Sequence, residues 1–226
     1  WISHTVGIPA TKVFTAATEG KIHGLFIFGE DQMHTDPDLA HVERGIDALD
    51  FLVVDELFMT ETAAKADVVL PGISYAEKEG TFSNTERRVQ RVRKAVESPG
   101  DARPDTWIFT QIMRRMGYDQ PDLTPAQIMD EIASVTPSFA GISHERLDEP
   151  KFVGKGIQWP CPSKDSDGTQ ILHVEKFVRG LGKFSAQEYE PSTELPDADY
   201  PFAMMTGRTL YQYNNRSTTK FTKGLN

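Results

Sequence analysis

The chain has 226 residues, of which 38% are hydrophobic and 25% are charged, and this is enough apolar material to bury a substantial core. Its formal charge of -9 argues against nonspecific binding to nucleic acid, because a phosphate backbone is held by surplus Lys and Arg. The sequence lacks the run of roughly 18 apolar residues that a transmembrane helix needs, so we expect no membrane insertion.

Cysteine content limits the redox chemistry that the chain can support alone. Cys161 is the only cysteine, which rules out an internal disulfide, a multi-cysteine zinc site and an iron–sulfur cluster ligated by this chain alone. The sequence begins at Trp1 without an initiator Met and stops at KGLN without a polar tail. We interpret it as a piece of a longer protein.

Strand and helix patterns alternate over the first 72 residues. KIHGLFIF, from Lys21, is an apolar run of strand length that ends in the polar stretch GEDQMHTDPD. The next helix is predicted to be capped by Thr35 or Asp36, with Pro37 in its first position. Its apolar side chains repeat at helical spacing, at Leu39, Val42, Ile46 and Leu49.

A second strand, a short helix and a third strand follow directly. DFLVVDELF and DVVLPG have the apolar composition of buried strands, and TETAAKA between them predicts a helix capped by Thr60. Strands that alternate with helices predict an α/β fold with a doubly wound, mostly parallel sheet.

The segment beyond Gly72 has no clean apolar face and predicts a long surface loop with a strand at its end. Its arginines lie among glutamates, which is typical of a salt-bridged surface. Two helices follow, one from Pro104 to near Gly117 and one from Thr124, where TPAQ forms a capping box. Spacing places Trp107, Phe109, Ile112 and Met116 on or near one core-packing face of the first of these helices.

The composition changes from about Pro137, where Pro, Gly, Asp and Ser become frequent, as in a connection between domains. We therefore predict an α/β domain over residues 1–165, an irregular connector over 166–198 and the beginning of another domain over 199–226. A strand at YPFAMMT is expected to open this last domain.

Three segments carry polar side chains where the predicted strands end or the next helix begins. In an open α/β sheet, ligands bind beyond the carboxyl ends of the strands. A carboxylate there would suit guanine, whose N1–H and N2–H₂ are adjacent donors. The candidates are Gly29, Asp31 and Thr35 after the first strand, Asp55 and Glu56 at the end of the second, and Arg103, Pro104 and Asp105 at a helix start.

Spacing alone does not identify a nucleotide site, because Asp and Thr at helix starts also serve as caps. The GxGxxG and GxxxxGK[ST] motifs of dinucleotide and ATP sites are absent from the sequence, as are HExxH and GxSxG. The six histidines show no metal-ligand spacing.

Taken in order, GLFIFGEDQMHTDPD, DFLVVDELFMTETAAKADVVLPG and ARPDTWIFTQIMRRMGY resemble the molybdopterin oxidoreductase family, and within it the alpha subunits of formate dehydrogenases. IQWPCP and YPFAMMTGRTLYQY continue the resemblance over nearly the whole chain. It implies an α/β domain of that family, followed by the start of a β-barrel dinucleotide-binding domain.

The resemblance also implies a cofactor. Members hold molybdenum or tungsten between two molybdopterin guanine dinucleotides, and an iron–sulfur cluster lies elsewhere in the parent protein. The cysteine ligands of both centres lie upstream, so we assign no catalytic and no metal-binding residue to this chain. The cofactor-binding positions implied are Gly29, Asp31, Thr35, Asp55, Thr60 and Asp105, and in the C-terminal part Thr206, Gly207, Arg208, Gln212 and Tyr213.

The implied activity is oxidation of formate to carbon dioxide, with electrons passed to a partner subunit or acceptor and a cytoplasmic location. YQYNNRSTTK departs from the YHYHTG of many formate dehydrogenases by replacing imidazoles with neutral amides. Two alternatives remain open: another molybdopterin oxidoreductase, related to nitrate reductases or to the large subunit of NADH dehydrogenases, and a non-catalytic scaffold of the same fold.

Overall fold

A computed structural model describes residues 4–212 and 214–225 of the chain. The strands are β1 (Gly24–Phe28), β2 (Phe51–Glu56), β3 (Val68–Pro71), β4 (Gly80–Ser83), β5 (Arg88–Val92) and β6 (Ile157–Gln158). The α-helices are α1 (Val13–Thr18), α2 (Gln32–Thr35), α3 (Leu39–Asp47), α4 (Glu61–Ala64), α5 (Asp105–Arg115), α6 (Pro125–Val135) and α7 (His144–Leu147). Single 3₁₀ turns lie at Ala10–Lys12, Pro137–Phe139, Asn214–Arg216 and Thr219–Phe221.

The first sheet is parallel, with the strand order β1-β2-β3. Its register pairs Phe28 with Asp55 and Glu56 with Pro71, so the three strands end at one edge of the sheet. The prediction of an α/β fold with a parallel sheet is confirmed, and the three strands lie where the apolar runs placed them. All the loops that leave this edge therefore begin close together.

The core beneath this sheet is built from helices and strands of the first 70 residues. Its buried side chains are Phe14, Ile27, Val42, Ile46, Leu52, Val54 and Ala63. Helices α1 and α3 cross so closely that a Cβ added to Gly45 would lie 2.6 Å from the Cβ of Phe14. The absence of a side chain at Gly45 is therefore what allows this contact.

A second, antiparallel sheet has the order β4-β5-β6. The sequence predicted one strand after a long loop, and β4 was missed because Gly80–Ser83 lacks the apolar run that marks β3, a strand of the same length. Its partner β5 carries the salt-bridged arginines, as expected: the Arg91 guanidinium lies 2.6 Å from Glu79 and 3.2 Å from Asp148.

A second core covers this sheet and includes much of the segment whose composition was typical of a connector. Its buried side chains are Val89, Met129, Ile142, Leu147, Phe152, Ile157 and Cys161. The guanidinium of Arg146 is buried among them, where it donates to the carbonyls of Gly141 and Ser166. These bonds supply donors to backbone carbonyl groups that are not paired within a helix or a strand. Residues 137–161 can therefore pack although they form only short elements.

Two helix predictions differ from the structure in their details. Asp38, and not Thr35 or Asp36, caps α3 by accepting from the His41 N–H at 3.0 Å. The chain turns first, because the Asp36 carboxylate accepts from the Asp38 N–H at 3.0 Å, and this places Pro37 before the helix. Helix α6 has the predicted capping box between Thr124 and Gln127.

Helix α5 also has the predicted position, but its expected core face is not buried. Trp107, Phe109 and Met116 are exposed, whereas Ile108 is buried. Spacing defines an apolar stripe on a helix but does not say which neighbour covers it.

The C-terminal part of the chain is extended. Residues 171–179 and 181–211 are exposed, and the strand expected at YPFAMMT is not formed. A strand requires a hydrogen-bonding partner, and the described residues provide none for this segment. No helix in the described part of the chain is both long enough and apolar enough to cross a membrane.

Candidate functional site

The carboxyl edge of the parallel sheet gathers charged side chains from loops that are distant in sequence. We call this group the strand-end cluster, and it consists of the charged residues Asp31, Asp55, Glu56, Lys78 and Asp105 together with Gly72, which lies between two of the carboxylates. Its members follow β1, end β2, follow β3 and open α5. The sheet register therefore brings together the three segments that the sequence singled out.

Asp31 is only 2% exposed, and its two carboxylate oxygens have different surroundings. Oδ1 accepts from the Thr62 hydroxyl at 2.8 Å and from the Thr62 N–H at 3.2 Å. The same hydroxyl accepts from the Met33 N–H at 2.9 Å, which ties α2 to α4. Oδ2 accepts no hydrogen bond within the described residues, and the Lys220 ammonium lies 3.7 Å from it.

Asp55, at the end of β2, is also 2% exposed, and its Oδ2 has no hydrogen-bond partner within the described ranges. Burial raises the pKa of this carboxyl to about 6, and the charges of Asp105 and Glu56 add to the effect. Gly72 leaves room for the group, because a Cβ there would lie 2.6 Å from Asp55 Oδ1 and 3.4 Å from Asp105 Oδ1.

Glu56 adds a further buried acid beside Asp55. Burial raises its pKa above the ordinary value, while the N–H groups of Leu57 and Phe58 partly oppose this shift. The neighbouring carboxylates of Asp31 and Glu30 raise the pKa further. The cluster thus has a strongly negative potential that favours N–H donors and cations.

Asp105 and Lys78 form the more accessible side of the cluster. The Lys78 ammonium donates to Asp105 Oδ2 at 2.6 Å, and the two side chains are 29% and 19% exposed, respectively. Asp105 is the first residue of α5, yet the N-cap position belongs to Pro104 and has no side-chain capping bond. The sequence allowed Asp105 to be simply a helix cap, and the structure shows that its carboxylate does not cap α5.

The remaining candidates near this edge have more varied surroundings. Gly29 has φ +62 and donates its N–H to the Asp55 carbonyl at 2.9 Å, so it makes the turn that leaves β1. Thr60 caps α4 by accepting from the Ala63 N–H at 3.1 Å. Thr35 ends α2 instead of beginning a helix, so it does not present the helix N-terminus that was predicted.

The candidates in the C-terminal part do not reach the cluster themselves. Thr206, Gly207 and Arg208 are exposed, and no described hydrogen bond or ion pair joins them to it. Gln212 bonds within its own segment, to Leu225 and Thr219, and Tyr213 lies outside the described residues.

The residues that follow do contact the loops at this edge. The His34 ring nitrogen Nε2 lies 2.7 Å from the Asn215 carbonyl, and the rings of Phe58 and Phe221 stack with their centres 4.5 Å apart. Together with Lys220 near Asp31, these contacts place the turns around Asn215 and Phe221 against the loops after β1 and β2.

Sequence reasoning missed four residues that shape the site: Thr62, Gly72, Lys78 and Lys220. Thr62 and Gly72 lie one or two positions from predicted features, but nothing in their spacing indicates contact with a carboxylate. Lys78 lies in a segment without helical or strand periodicity, and only the tertiary structure shows that it pairs with Asp105. The described residues contain no group of three or more His, Cys, Asp or Glu placed to hold a metal ion.

The chain is thus an α/β protein whose parallel sheet has buried, incompletely bonded carboxylates at its carboxyl edge, the edge at which open α/β sheets commonly bind ligands. A model of the molybdopterin oxidoreductase family matches residues 2–115 of the chain. The chain belongs to this family.

Relatives and a solved structure agree with this placement. The chain is 45% identical, over 97% of its length, to "F420-dependent formate dehydrogenase 2 subunit alpha" of Methanococcus maripaludis, and it spans 32% of that protein. It is 46% identical, over 89% of its length, to the F420-dependent formate dehydrogenase subunit alpha of Methanocaldococcus jannaschii, of which it spans 30%. Acetylene hydratase from Pelobacter acetylenicus, at 23% identity and a TM-score of 0.52, shares the fold over 62% of this chain and 20% of its own.

Proposed function

We propose that the parent protein is the alpha subunit of a formate dehydrogenase, which oxidises formate to carbon dioxide and passes two electrons to a partner subunit or acceptor. The support is the identity of 45% and 46% to relatives that carry this name. Because the chain spans about a third of their length, the activity belongs to the whole protein. We assign none of the catalytic residues to this chain.

We further propose that this chain binds the guanosine ends of molybdopterin guanine dinucleotide. The observation that carries this proposal is the pair of buried carboxylate oxygens, on Asp31 and Asp55, that accept no hydrogen bond from the described residues. Buried acceptors without donors are costly, and a ligand with several N–H and O–H groups would satisfy them. The donor-rich edge of guanine and the hydroxyls of ribose have this chemistry.

The residues present fit such a ligand. Asp31, Asp55 and Asp105 would accept from it, while Gly29, Thr35 and Thr60 shape the loops beside them. The resemblance adds Thr206, Gly207, Arg208, Gln212 and Tyr213, as the beginning of the second dinucleotide-binding domain. When bound, the molybdenum or tungsten between two pterin dinucleotides supplies the two-electron chemistry, and the protein supplies binding and orientation.

A second candidate is another reaction of the same family, and it is favoured by YQYNNRSTTK, which replaces the imidazoles of YHYHTG with amides. The related proteins to compare are the nitrate reductases and the large subunit of NADH dehydrogenases.

We also propose a cytoplasmic location, supported by the single, unpaired Cys161.

The test uses the full-length parent protein and measures metal and pterin content together with formate-dependent dye reduction. We expect molybdenum or tungsten, bound pterin and formate activity in the same preparation. Bound pterin without formate activity would assign another substrate. A protein that binds no pterin would be the non-catalytic scaffold.

A further inference from the structure

Lys78 adds a hydrogen-bond donor to the strand-end cluster, whose other charged members are the acceptors Asp31, Asp55, Glu56 and Asp105. Its ammonium lies 2.6 Å from Asp105 Oδ2, on the accessible side of the strand-end cluster. An ammonium has three N–H bonds, and Asp105 is its one described hydrogen-bond partner. Lys78 can therefore donate to a ligand while it keeps its bond to Asp105.

The order of these groups is informative. The Lys78 ammonium lies beside Asp105 Oδ2, and Asp105 Oδ1 is the carboxylate oxygen on the side of Gly72, so the pair offers one donor next to two acceptors. The recognition edge of guanine has the complementary order, with the O6 acceptor first, then N1–H and then N2–H₂. Adenine presents a donor at position 6 and no N1–H, so it would meet Lys78 with the wrong group.

We propose that Lys78 determines the base specificity of this site by donating to O6 of guanine while Asp105 accepts from N1–H and N2–H₂. The inference rests on the proposed function, which gives the cluster a guanine nucleotide end. It adds a residue that neither the sequence nor the family resemblance identified. Charge-assisted hydrogen bonds of this kind are stronger than neutral ones.

The surroundings of the pair support this role. Asp55 is 2% exposed, and the absence of a side chain at Gly72 leaves room for its carboxyl group and for that of Asp105. The Lys78 charge lowers the pKa of Asp55 against the opposing effects of burial and of Asp105. The Lys78 ammonium thus also offsets the negative charge of the neighbouring carboxylates, which would otherwise repel O6 of guanine.

The test measures nucleotide binding by the full-length parent protein, purified without cofactor from cells that make no pterin. The probes are GMP, 6-thio-GMP, which replaces O6 with the weaker acceptor sulfur, and IMP, which lacks the N2 amino group. We expect wild-type protein to bind 6-thio-GMP about tenfold or more weakly than GMP. IMP should bind more weakly than GMP because the Asp105 carboxylate loses one donor.

The variant Lys78→Met should bind GMP and 6-thio-GMP equally, because the group that distinguishes them is gone, and it should still prefer GMP over IMP. The matched control Lys78→Arg keeps a donor and should keep a preference for GMP over 6-thio-GMP. Equal affinity of the wild type for GMP and 6-thio-GMP would overturn the inference without the need for any variant. Failure of wild-type protein to bind either GMP or IMP would instead overturn the proposed function on which the inference rests.

Discussion

Asp55 shows at the scale of one residue what the strand-end cluster does to a carboxyl group. Its pKa is raised to about 6 because it is buried near two other acids, so the folded protein retains a proton that the unfolded chain releases at lower pH. The stabilising contribution of this group is fully present below about pH 4 and is lost as the pH rises through 6. Glu56 changes in the same direction.

Asp55→Asn replaces this carboxyl with a neutral group of similar shape. Because the variant has no charge to bury, its free energy of unfolding relative to wild type should rise by about 2–3 kcal/mol between pH 4 and pH 7. Thermal or denaturant unfolding across this pH range measures the effect. Asp119→Asn, at an exposed position, is the control, and parallel profiles for wild type and Asp55→Asn would show that Asp55 titrates normally.

Thr62 holds Asp31 in place through a buried hydroxyl that bonds to the carboxylate and to the Met33 N–H. Thr62→Val leaves the Met33 N–H unpaired and leaves Asp31 Oδ1 with only the Thr62 N–H, so it should lower the free energy of unfolding by about 2–3 kcal/mol. Thr62→Ser keeps the hydroxyl and should lose only about 1 kcal/mol, for the missing methyl group. Equal stability of the two variants in denaturant unfolding would mean that the hydroxyl contributes nothing.

The residues of the cluster also show how much of the site the sequence could predict. Asp31, Asp55 and Asp105 were chosen because each lies at a strand end or a helix start, and the parallel register brings them to one edge. Thr62 and Lys78 could not be found in this way, because their roles depend on distances between side chains. The assignment of Asp31, Asp55 and Asp105 as ligand-binding residues remains a prediction.

At the scale of elements, segments with a clear apolar run or helical spacing were predicted more reliably than segments without one. Helix α6 and the strands β1 to β3 carry strong local signals, whereas the four-residue β4 carries almost none. The start of α3 was misplaced because Thr35, Asp36 and Asp38 can all cap a helix, and only the observed turn selects Asp38 over the predicted Thr35 or Asp36.

Gly45 provides a test of how α1 packs on α3. A methyl group there would overlap both the Cβ and the backbone of Phe14, so Gly45→Ala should lower the free energy of unfolding by about 1–3 kcal/mol. This loss is expected even though alanine favours a helix over glycine by about 1 kcal/mol. Gly7→Ala, with nothing within 4 Å of the added atom, is the control. A stabilised Gly45→Ala protein would contradict the close approach of the two helices.

At the scale of the whole molecule, the described residues form two sheets, each with its own core, and a C-terminal part that is largely exposed. The composition after Pro137 predicted a connection but could not show that residues 137–161 pack against the second sheet, because this packing consists of tertiary contacts, among them the apolar core and the bonds of Arg146 to the Gly141 and Ser166 carbonyls. The expected strand at YPFAMMT is not formed, and the barrel domain remains a proposal. We propose that the carboxyl edge of the parallel sheet is the place where a ligand binds.

Hydrogen–deuterium exchange of the full-length parent protein, with and without its pterin cofactor, tests this central claim most directly. We predict that the cofactor protects the backbone amides of residues 29–35, 55–60, 72–78 and 103–107, while residues 137–161 exchange at unchanged rates. Cofactor-dependent protection elsewhere in the protein, with these four segments unchanged, would contradict the assignment of the strand-end cluster as a cofactor-binding site.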